Sequence, residues 1–491
     1  MMNKESVSGY ALIFGYLSLF MMMIGLIILL PLLVIIFYPE EITNAKYFIA
    51  PGVGSIVIGY FVHYFFLGKS QERLEKYQDA LLILFIWIMA ILISSIPFLL
   101  TGNYNFTQSI FETTSGYSTT GLTVVDVTTT PNIFLMYRSL LQFIGGVGLV
   151  LILTSAVSDR YGMRLYSAEG HNDKLLPNLA RSARLILSIY IVYIIVGTIL
   201  YKIFGMSVFD GLNHAIAAVS TGGFSTKANS IAFFDSAAIE GVTIVLMLLG
   251  NTNFVVHLFL IKGRLKNAIK HIELKFLLII SVIFIPIMVI SIAGSYQGDF
   301  WEAFRIGLFQ FVSGITTTGF QSVDSLSILP NITIICVIIL MIIGGGIGST
   351  AGGIKQYRIV LAIKNLYWNF RDRITHKNVI RSNYINKFGK VIEVTKQDAI
   401  DTNSHIMVYL ITLVIGTVIF SAYGHSLQDS LFEFSSALGT VGLSVGIISY
   451  NSPPLMLWTT NVGMFMGRLE FYVVFVAIAK IFMDVSKRKV L

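Results

Sequence analysis

The chain has 491 residues, 55% of them hydrophobic and 12% charged, with a formal net charge of +8 and a mean hydropathy of +0.77. A soluble domain carries about 25% charged residues, so the composition excludes an ordinary soluble protein and points to a bilayer. The single Cys336, inside an apolar run, excludes an intrachain disulfide and a cysteine metal cluster. The positive balance gives no reason to expect nucleic acid.

A helical span needs roughly 20 apolar residues. The run 10–38 is too long for a signal-peptide core and lacks a small-residue cleavage site, so it reads as a retained helix. With 47–68 it forms two spans that precede any repeat. Residues 79–100 form the next helix. The segment 106–118 is too short to cross; it runs into Thr119-Thr120-Gly121-Leu122-Thr123, and 133–157 follows as a span. The same order recurs three times. The second copy has 185–204, 208–220, Thr221-Gly222-Gly223-Phe224-Ser225 and 237–261. The third has 274–293, 301–316, Thr317-Thr318-Gly319-Phe320-Gln321 and 332–354. The fourth has 405–423, 427–439, Thr440-Val441-Gly442-Leu443-Ser444 and 455–482. Internal repeats decide the fold. The expected architecture is an all-α polytopic membrane protein, with four fused span–pore loop–span repeats around one pseudo-fourfold pore and two extra N-terminal spans. The expected boundaries are 1–72 for the N-terminal spans, 73–160, 161–265 and 266–363 for repeats one to three, 364–402 for a polar insertion with a possible short hairpin, and 403–491 for repeat four.

Two register checks support the repeats. Gly145, Gly250, Gly344 and Gly467 each follow their loop glycine at nearly one offset, and Asp126 and Asp324 each lie five residues past theirs. Glycine is common in membrane helices, so one coincidence would mean little. Basic residues give the orientation. Lys69, Arg73, Lys76, Arg160, Arg164, Lys174, Arg181, Arg184, Lys262, Arg264, Lys266, Lys270, Lys275, the basic residues of 355–396 and Lys487, Arg488 and Lys489 share one side in a ten-span chain. Only Lys46, Arg138, Lys202, Lys227 and Arg305 fall on the other. Both termini and the insertion are therefore expected in the cytoplasm, with the loops opening outward.

Irregular backbone at membrane depth survives only inside protein or along a wet cavity. Four such loops are expected to form one filter, in which rings of backbone carbonyls replace the water of a cation. The expected ligand set is Thr119, Thr120, Gly121, Thr221, Gly222, Gly223, Thr317, Thr318, Gly319, Thr440, Val441 and Gly442. Glycine reaches the backbone angles that turn carbonyls to an axis, and the short helices aim their negative C-terminal ends at it. The segments hold no carboxylate, which favours a monovalent ion over Mg²⁺ or Ca²⁺. Glu112, Asp126, Asp210, Glu302, Asp324, Asp429 and Glu433 lie on the filter side and either concentrate cations or cap and solvate the loops.

The third inner span is interrupted by Gly344, Gly345, Gly346, Ile347, Gly348, Ser349, Thr350, Ala351, Gly352 and Gly353. At about 1 kcal/mol per glycine, a continuous helix is not expected there. A loop under the filter is the place for a gate; a packing site for a neighbouring helix is the alternative. A phosphate-binding loop is excluded because Ile354 separates Gly353 from Lys355. Arg468, in an apolar run level with that loop, is the expected gate partner; a structural pair with Glu470 or an arginine snorkelling to the lipid surface is the alternative. The eight histidines are scattered without metal-ligand spacing, and His214 reads as packing or solvated rather than as a ligand.

Gly-Ser-Thr-Ala-Gly-Gly-Ile-Lys at 348–355, Gly-Arg-Leu-Glu at 467–470 and one filter glycine per repeat resemble the superfamily of potassium transporters (Trk, Ktr and HKT), over nearly the whole chain. The two added N-terminal spans are similar to the TrkH/TrkG branch rather than KtrB. The resemblance implies channel-like K⁺ uptake across a bacterial inner membrane, gated at 344–353 with Arg468. It also implies a homodimer with a pore in each subunit, and a cytosolic TrkA-type ring that alone would bind NAD(H) or ATP. No cofactor is expected on this chain, and it is not expected to be an enzyme. Gly121 is expected to favour K⁺, since plant relatives that prefer Na⁺ carry serine there; Gly222, where other copies have Thr or Val, departs from the pattern. A K⁺/H⁺ or K⁺/Na⁺ symporter is the alternative.

Overall fold

The computed structural model describes residues 6–7, 9–67, 70–71, 77–148, 179–294, 299–375, 382–387 and 390–488. The expected end of the first inner span, 149–157, lies outside these residues, as do Lys69, Arg73, Lys76, Arg160, Arg164, Lys174, His171, His376, Lys489 and the first two repeat boundaries. The fold is helical. Among the described residues the strands are a two-residue parallel pairing and the antiparallel hairpin Asn383–Lys387 with Lys390–Val394, which lies in the expected insertion. The chain divides into two compact units, one of residues 1–119, 123–191 and 449–491, the other of 120–122 and 192–448.

In the first unit, Gly9–Leu29 and Ala45–Leu67 are joined by the 3₁₀ segments Leu30–Ile36 and Pro39–Asn44. A Cβ added to Gly25 would sit 2.9 Å from Ile56 Cγ1, and one on Gly59 would sit 2.9 Å from the Ser18 carbonyl oxygen. Lipid tails are as apolar as leucine, so close backbone approach holds helices together where the hydrophobic effect does not. The linker also anchors repeat one. Glu41 accepts from the backbone N–H groups of Asn132 at 2.7 Å and Ile133 at 2.8 Å, placing negative charge on the positive N-terminus of Asn132–Val147. Phe48 packs tilted against Phe134 and edge-on to Tyr137, with ring centroids 4.8 and 5.2 Å apart.

In the second unit, the long helices Ile272–Ala293 and Lys396–Ala422 precede the short helices Phe300–Ile315 and Leu427–Leu438, and Val208–Val219 follows the helix Leu179–Ile203, of which residues 192–203 belong to this unit. The span Ile272–Ala293 has a mean hydropathy of 3.0 and leaves Val282 and Ile290 three-quarters exposed, as a helix facing lipid does.

Six described helices are long and apolar enough to cross a membrane, or eight if two bent pairs count as one span each. The sequence reading treats 237–261 and 455–482 as continuous spans. Instead Ala237–Asn251 turns by 111° into Phe254–Ile261, and Pro454–Arg468 turns by 101° into Tyr472–Ser486. Asn331–Ile343 ends at the glycine-rich loop, and Asn132–Val147 ends at Gly148 with φ +107°. A break near one register position is thus a property of the repeats rather than of the third copy alone.

Candidate ion filter and the loop seated against it

Each short helix starts on a side-chain cap. Asn105, Ser207, Asp299 and Ser426 accept from backbone N–H groups of the first turn, and Asn105 and Gln108 complete a reciprocal capping box. Each helix ends on a residue that is ordinarily glycine. Thr119, Thr221, Thr317 and Thr440 have φ of +56°, +51°, +52° and +51°. In the last three copies the N–H one residue further reaches back to close the turn: Gly222 to Ala217, Thr318 to Ser313 and Val441 to Ser436, at 2.8, 3.1 and 2.8 Å. This is the usual C-terminal stop with its left-handed residue. A β-branched residue there costs about 1–2 kcal/mol, and such strain persists where the site needs the side chain.

After each threonine comes a residue with negative φ, then glycine with φ of +94°, +71°, +88° and +94° at Gly121, Gly223, Gly319 and Gly442. Alternating sign turns successive carbonyls toward one side of the strand. The four segments close into a ring within one unit. A Cβ on Gly121 would collide with the Gly222 carbonyl oxygen, one on Gly223 with that of Thr318, one on Gly319 with that of Val441, and one on Gly442 with that of Thr120. Each copy packs on the next and the fourth returns to the first. Only glycine permits both the angle and the approach. Leu122, Phe224, Phe320 and Leu443 are buried behind the ring.

The glycine-rich loop is seated against the base of this ring. The Gly352 N–H donates to Thr317 Oγ1 at 2.7 Å, Thr350 Oγ1 lies 3.0 Å from Thr221 Oγ1, and a Cβ on Gly352 would collide with Thr440 Oγ1 and the Gly439 carbonyl. Its outer side is held by groups the sequence reading missed. Asn251 Oδ1 accepts from Gly346 N–H at 3.0 Å, Glu273 accepts from Ile347 N–H at 2.8 Å, and Phe254 N–H donates to the Gly348 carbonyl at 2.9 Å. The signal for these residues was Asn251-Thr252-Asn253, a polar interruption of an apolar run. Lys355, at the end of the loop, is buried and its Nζ folds back onto the Ala351 carbonyl.

Arg468 sits at the break of the fourth inner helix, followed by Glu470 and Phe471 with φ of +54° and +59°. Within its own unit its guanidinium donates to the Gly145 and Gly146 carbonyls at the end of Asn132–Val147, a cation on a helix C-terminus.

Of the acids expected to concentrate cations, Glu112 and Glu433 are 1% and 0% exposed. Glu112 pairs with buried Arg138 at 2.6 Å and accepts from Thr123 Oγ1 and Val124 N–H. Glu433 accepts from Ser444 Oγ, Val445 N–H and Ile448 N–H. Both are committed to the chain leaving the filter, not to a vestibule. His214 does likewise, with Nε2 2.9 Å from Ser225 Oγ and Nδ1 2.8 Å from the Asp210 carbonyl oxygen. Asp126 and Asp324 are exposed. Among the described residues no group of three His, Cys, Asp or Glu side chains is placed to hold a metal.

The family model described as TrkH, cation transport protein, matches residues 64–487. The Trk system potassium uptake protein TrkG of Escherichia coli is 30% identical, over 92% of this chain and 94% of that protein. The uncharacterized cation transporter MJ1485 of Methanocaldococcus jannaschii is 28% identical, over 98% and 97%. The crystal structure of the potassium transporter TrkH from Vibrio parahaemolyticus superposes with a TM-score of 0.84 at 23% identity, over 95% of this chain and 98% of that one; at that identity the likeness speaks for the fold. The match over residues 64–487 makes this chain a member of the TrkH family of cation transport proteins.

Proposed function

We propose that the chain is a K⁺-selective, channel-like uptake transporter of the bacterial plasma membrane, with both termini in the cytoplasm. The observation that carries the reading is the closed ring in which the backbones at Gly121, Gly223, Gly319 and Gly442 pack each on the next copy's carbonyl. Neutral oxygens from Thr119, Thr120, Thr221, Gly222, Thr317, Thr318, Thr440 and Val441 would stand in for the water of a monovalent cation. Thr440 Oγ1, buried and without a hydrogen-bond partner among the described residues, supports this, because a buried hydroxyl normally has one. The chain's similarity to the Trk system potassium uptake proteins TrkG and TrkH of Escherichia coli supports K⁺ as the ion.

The segment 344–353 is the proposed gate. It touches the base threonines of three copies and is pinned by Asn251 and Glu273, so releasing those bonds would free it. Arg468 would set the closed state through the first inner helix it caps. A homodimer and a cytosolic nucleotide-binding ring of TrkA type are the proposed partners, with the hairpin at 383–394 on the side such a ring would reach. Any NAD(H) or ATP would bind to that ring and not to this chain.

One observation favours symport. Glu273 is a buried carboxylate bonded directly to the proposed gate segment, and a buried ionisable group beside a gate is a candidate for proton coupling. Purified protein in liposomes separates the two. A reversal potential set by the K⁺ gradient and indifferent to pH supports the channel; one that shifts with an imposed pH or Na⁺ gradient supports the symporter.

A further inference from the structure

The side chain nine residues before each filter glycine is Glu112, His214, Gln310 or Glu433, and the residue two after it is Thr123, Ser225, Gln321 or Ser444. In three copies these positions are bonded. Thr123 Oγ1 donates to Glu112 at 2.9 Å, His214 Nε2 lies 2.9 Å from Ser225 Oγ, and Ser444 Oγ donates to Glu433 at 2.7 Å. Two acids and an imidazole occupy one structural position, and each strut runs from the middle of a short helix to the residue where the filter strand ends. The third copy differs. Gln310 is fully buried and neither amide atom has a partner among the described residues. Its strand is held from the second copy instead, where Ala232 N–H donates to the Gln321 carbonyl at 3.1 Å and Ser230 Oγ accepts from Gln321 N–H at 3.3 Å.

We propose that Glu112, His214 and Glu433 are positioning residues for ion selectivity, fixing the filter carbonyls through Thr123, Ser225 and Ser444, while Gln310 braces nothing. The proposal rests on the ring being the ion filter. A carbonyl cage discriminates between monovalent ions only if its oxygens are held at one spacing. The strut ties the residue that ends the strand to the middle of a short helix whose N-terminus is capped. Glu433 takes three donors on two oxygens: Ser444 Oγ and Ile448 N–H on one, Val445 N–H on the other. A glutamine has one acceptor oxygen, so in either orientation its NH₂ faces a donor. Glu433→Gln therefore loosens the strand while leaving the volume unchanged.

The test measures K⁺ and Na⁺ uptake by proteoliposomes, normalised to the amount of inserted protein, for wild type, Glu433→Gln, Ser444→Ala, the double variant and Gln310→Met. Glu433→Gln is expected to lower the K⁺ over Na⁺ uptake ratio about fivefold, the scale of one lost hydrogen bond, mainly through a higher KM for K⁺. Ser444→Ala, which keeps the carboxylate and the backbone bonds, is expected to lower it about twofold. The double variant should be no worse than Glu433→Gln, because both act through one strut. Gln310→Met should keep the wild-type ratio. If Glu433→Gln does not accumulate, Ser444→Ala alone decides. Wild-type ratios in both Glu433→Gln and Ser444→Ala at normal protein levels overturn the proposal, as does a loss in Gln310→Met equal to theirs. A wild-type protein with no preference for K⁺ overturns the filter reading itself, and this inference with it.

Discussion

The ring and the inner-helix breaks follow the same repeats to opposite ends. The ring is built four times alike: a threonine with φ near +50°, a turn of opposite sign, and a glycine with φ between +71° and +94°. The breaks are built differently each time. The second copy uses Asn251 and Asn253, the third the glycine-rich segment from Gly344 to Gly353, and the fourth Leu469 with Glu470 and Phe471 in left-handed conformations. A small spherical ion rewards equivalent oxygens on every side, so divergence in the ring is penalised. A helix break needs only some way to satisfy the freed backbone groups, and many solutions serve. On the proposed reading of ring as filter and loop as gate, the difference separates conduction, shared by all four copies, from control, which rests where the third copy's loop meets the second copy's asparagines.

The largest expected effect is at the ring. Gly319→Ala adds a Cβ where the Val441 carbonyl already sits, at φ +88°. Uptake should fall more than about 100-fold at unchanged protein levels, since neither strand can retreat without opening the ring. Normal uptake by this variant would break the claim that the copies are equivalent. Gly121→Ser has the same clash with the Gly222 carbonyl, but next to the one copy whose middle residue is glycine, which yields more easily. It should transport, with K⁺ over Na⁺ selectivity reduced about tenfold; unchanged permeability ratios in flux assays would remove Gly121 from the filter.

The breaks should respond in another quantity, the basal flux. Thr350→Val removes the hydroxyl that lies 3.0 Å from the Gly250 carbonyl and 3.0 Å from Thr221 Oγ1. At about 1 kcal/mol for a net hydrogen bond, the closed state should lose about fivefold in population and resting K⁺ leak should rise accordingly, with selectivity intact. Arg468→Ala removes a cation from the end of Asn132–Val147. Its effect on leak should be about two- to threefold, the range of a helix-terminal charge. If either variant changed selectivity and left the leak alone, the division between ring and breaks would be wrong.

How much of this was legible in the sequence differs between the same two regions. The threonines and glycines of the ring were visible because an unusual backbone demands particular residues: only glycine tolerates the carbonyl contact at Gly223, and the motif recurs around it. The breaks at Asn251 to Asn253 and Leu469 to Phe471 were not, because a bend of 111° or 101° is fixed by what the freed backbone finds in space, and ordinary residues suffice. The glycine run was visible by its helix cost and Asn251-Thr252-Asn253 as a polar interruption, but their pairing was not, since Asn251 and Asn253 belong to the second copy and Glu273, in the third, lies 74 residues from Ile347. For Glu112 and Glu433 the sequence left two readings open, attracting cations or capping the loops, and the contacts select the second. A carboxylate near a filter reads as solvent-facing until the donors at Thr123, Ser444 and Val445 are seen to surround it. The similarity of their positions to His214 was present in the repeat register, but chemistry so different hides a shared role until the contacts are known.

The smallest effect concerns the exposed acids past the filter, which sharpen the comparison by lying in neither region. Asp126 accepts from Thr128 through both its hydroxyl, at 2.6 Å, and its backbone N–H, at 2.9 Å. These bonds hold its carboxyl below the ordinary carboxylate range. The sign follows from which form they favour. The charged form is stabilised, so the negative charge persists as pH falls past the point where an unbonded aspartate would protonate, and is lost only as pH falls through the depressed value. Asp126→Asn should therefore raise the apparent KM for K⁺ by about twofold or less at low ionic strength, by removing one attractive charge from the approach path. The difference from wild type should be constant from neutral to mildly acidic pH and vanish in about 1 M of a non-permeant salt, where the screening length falls to about 3 Å. An effect that survives such salt, or that appears in selectivity rather than KM, would place Asp126 in contact with the ion and extend the filter beyond its four backbone segments.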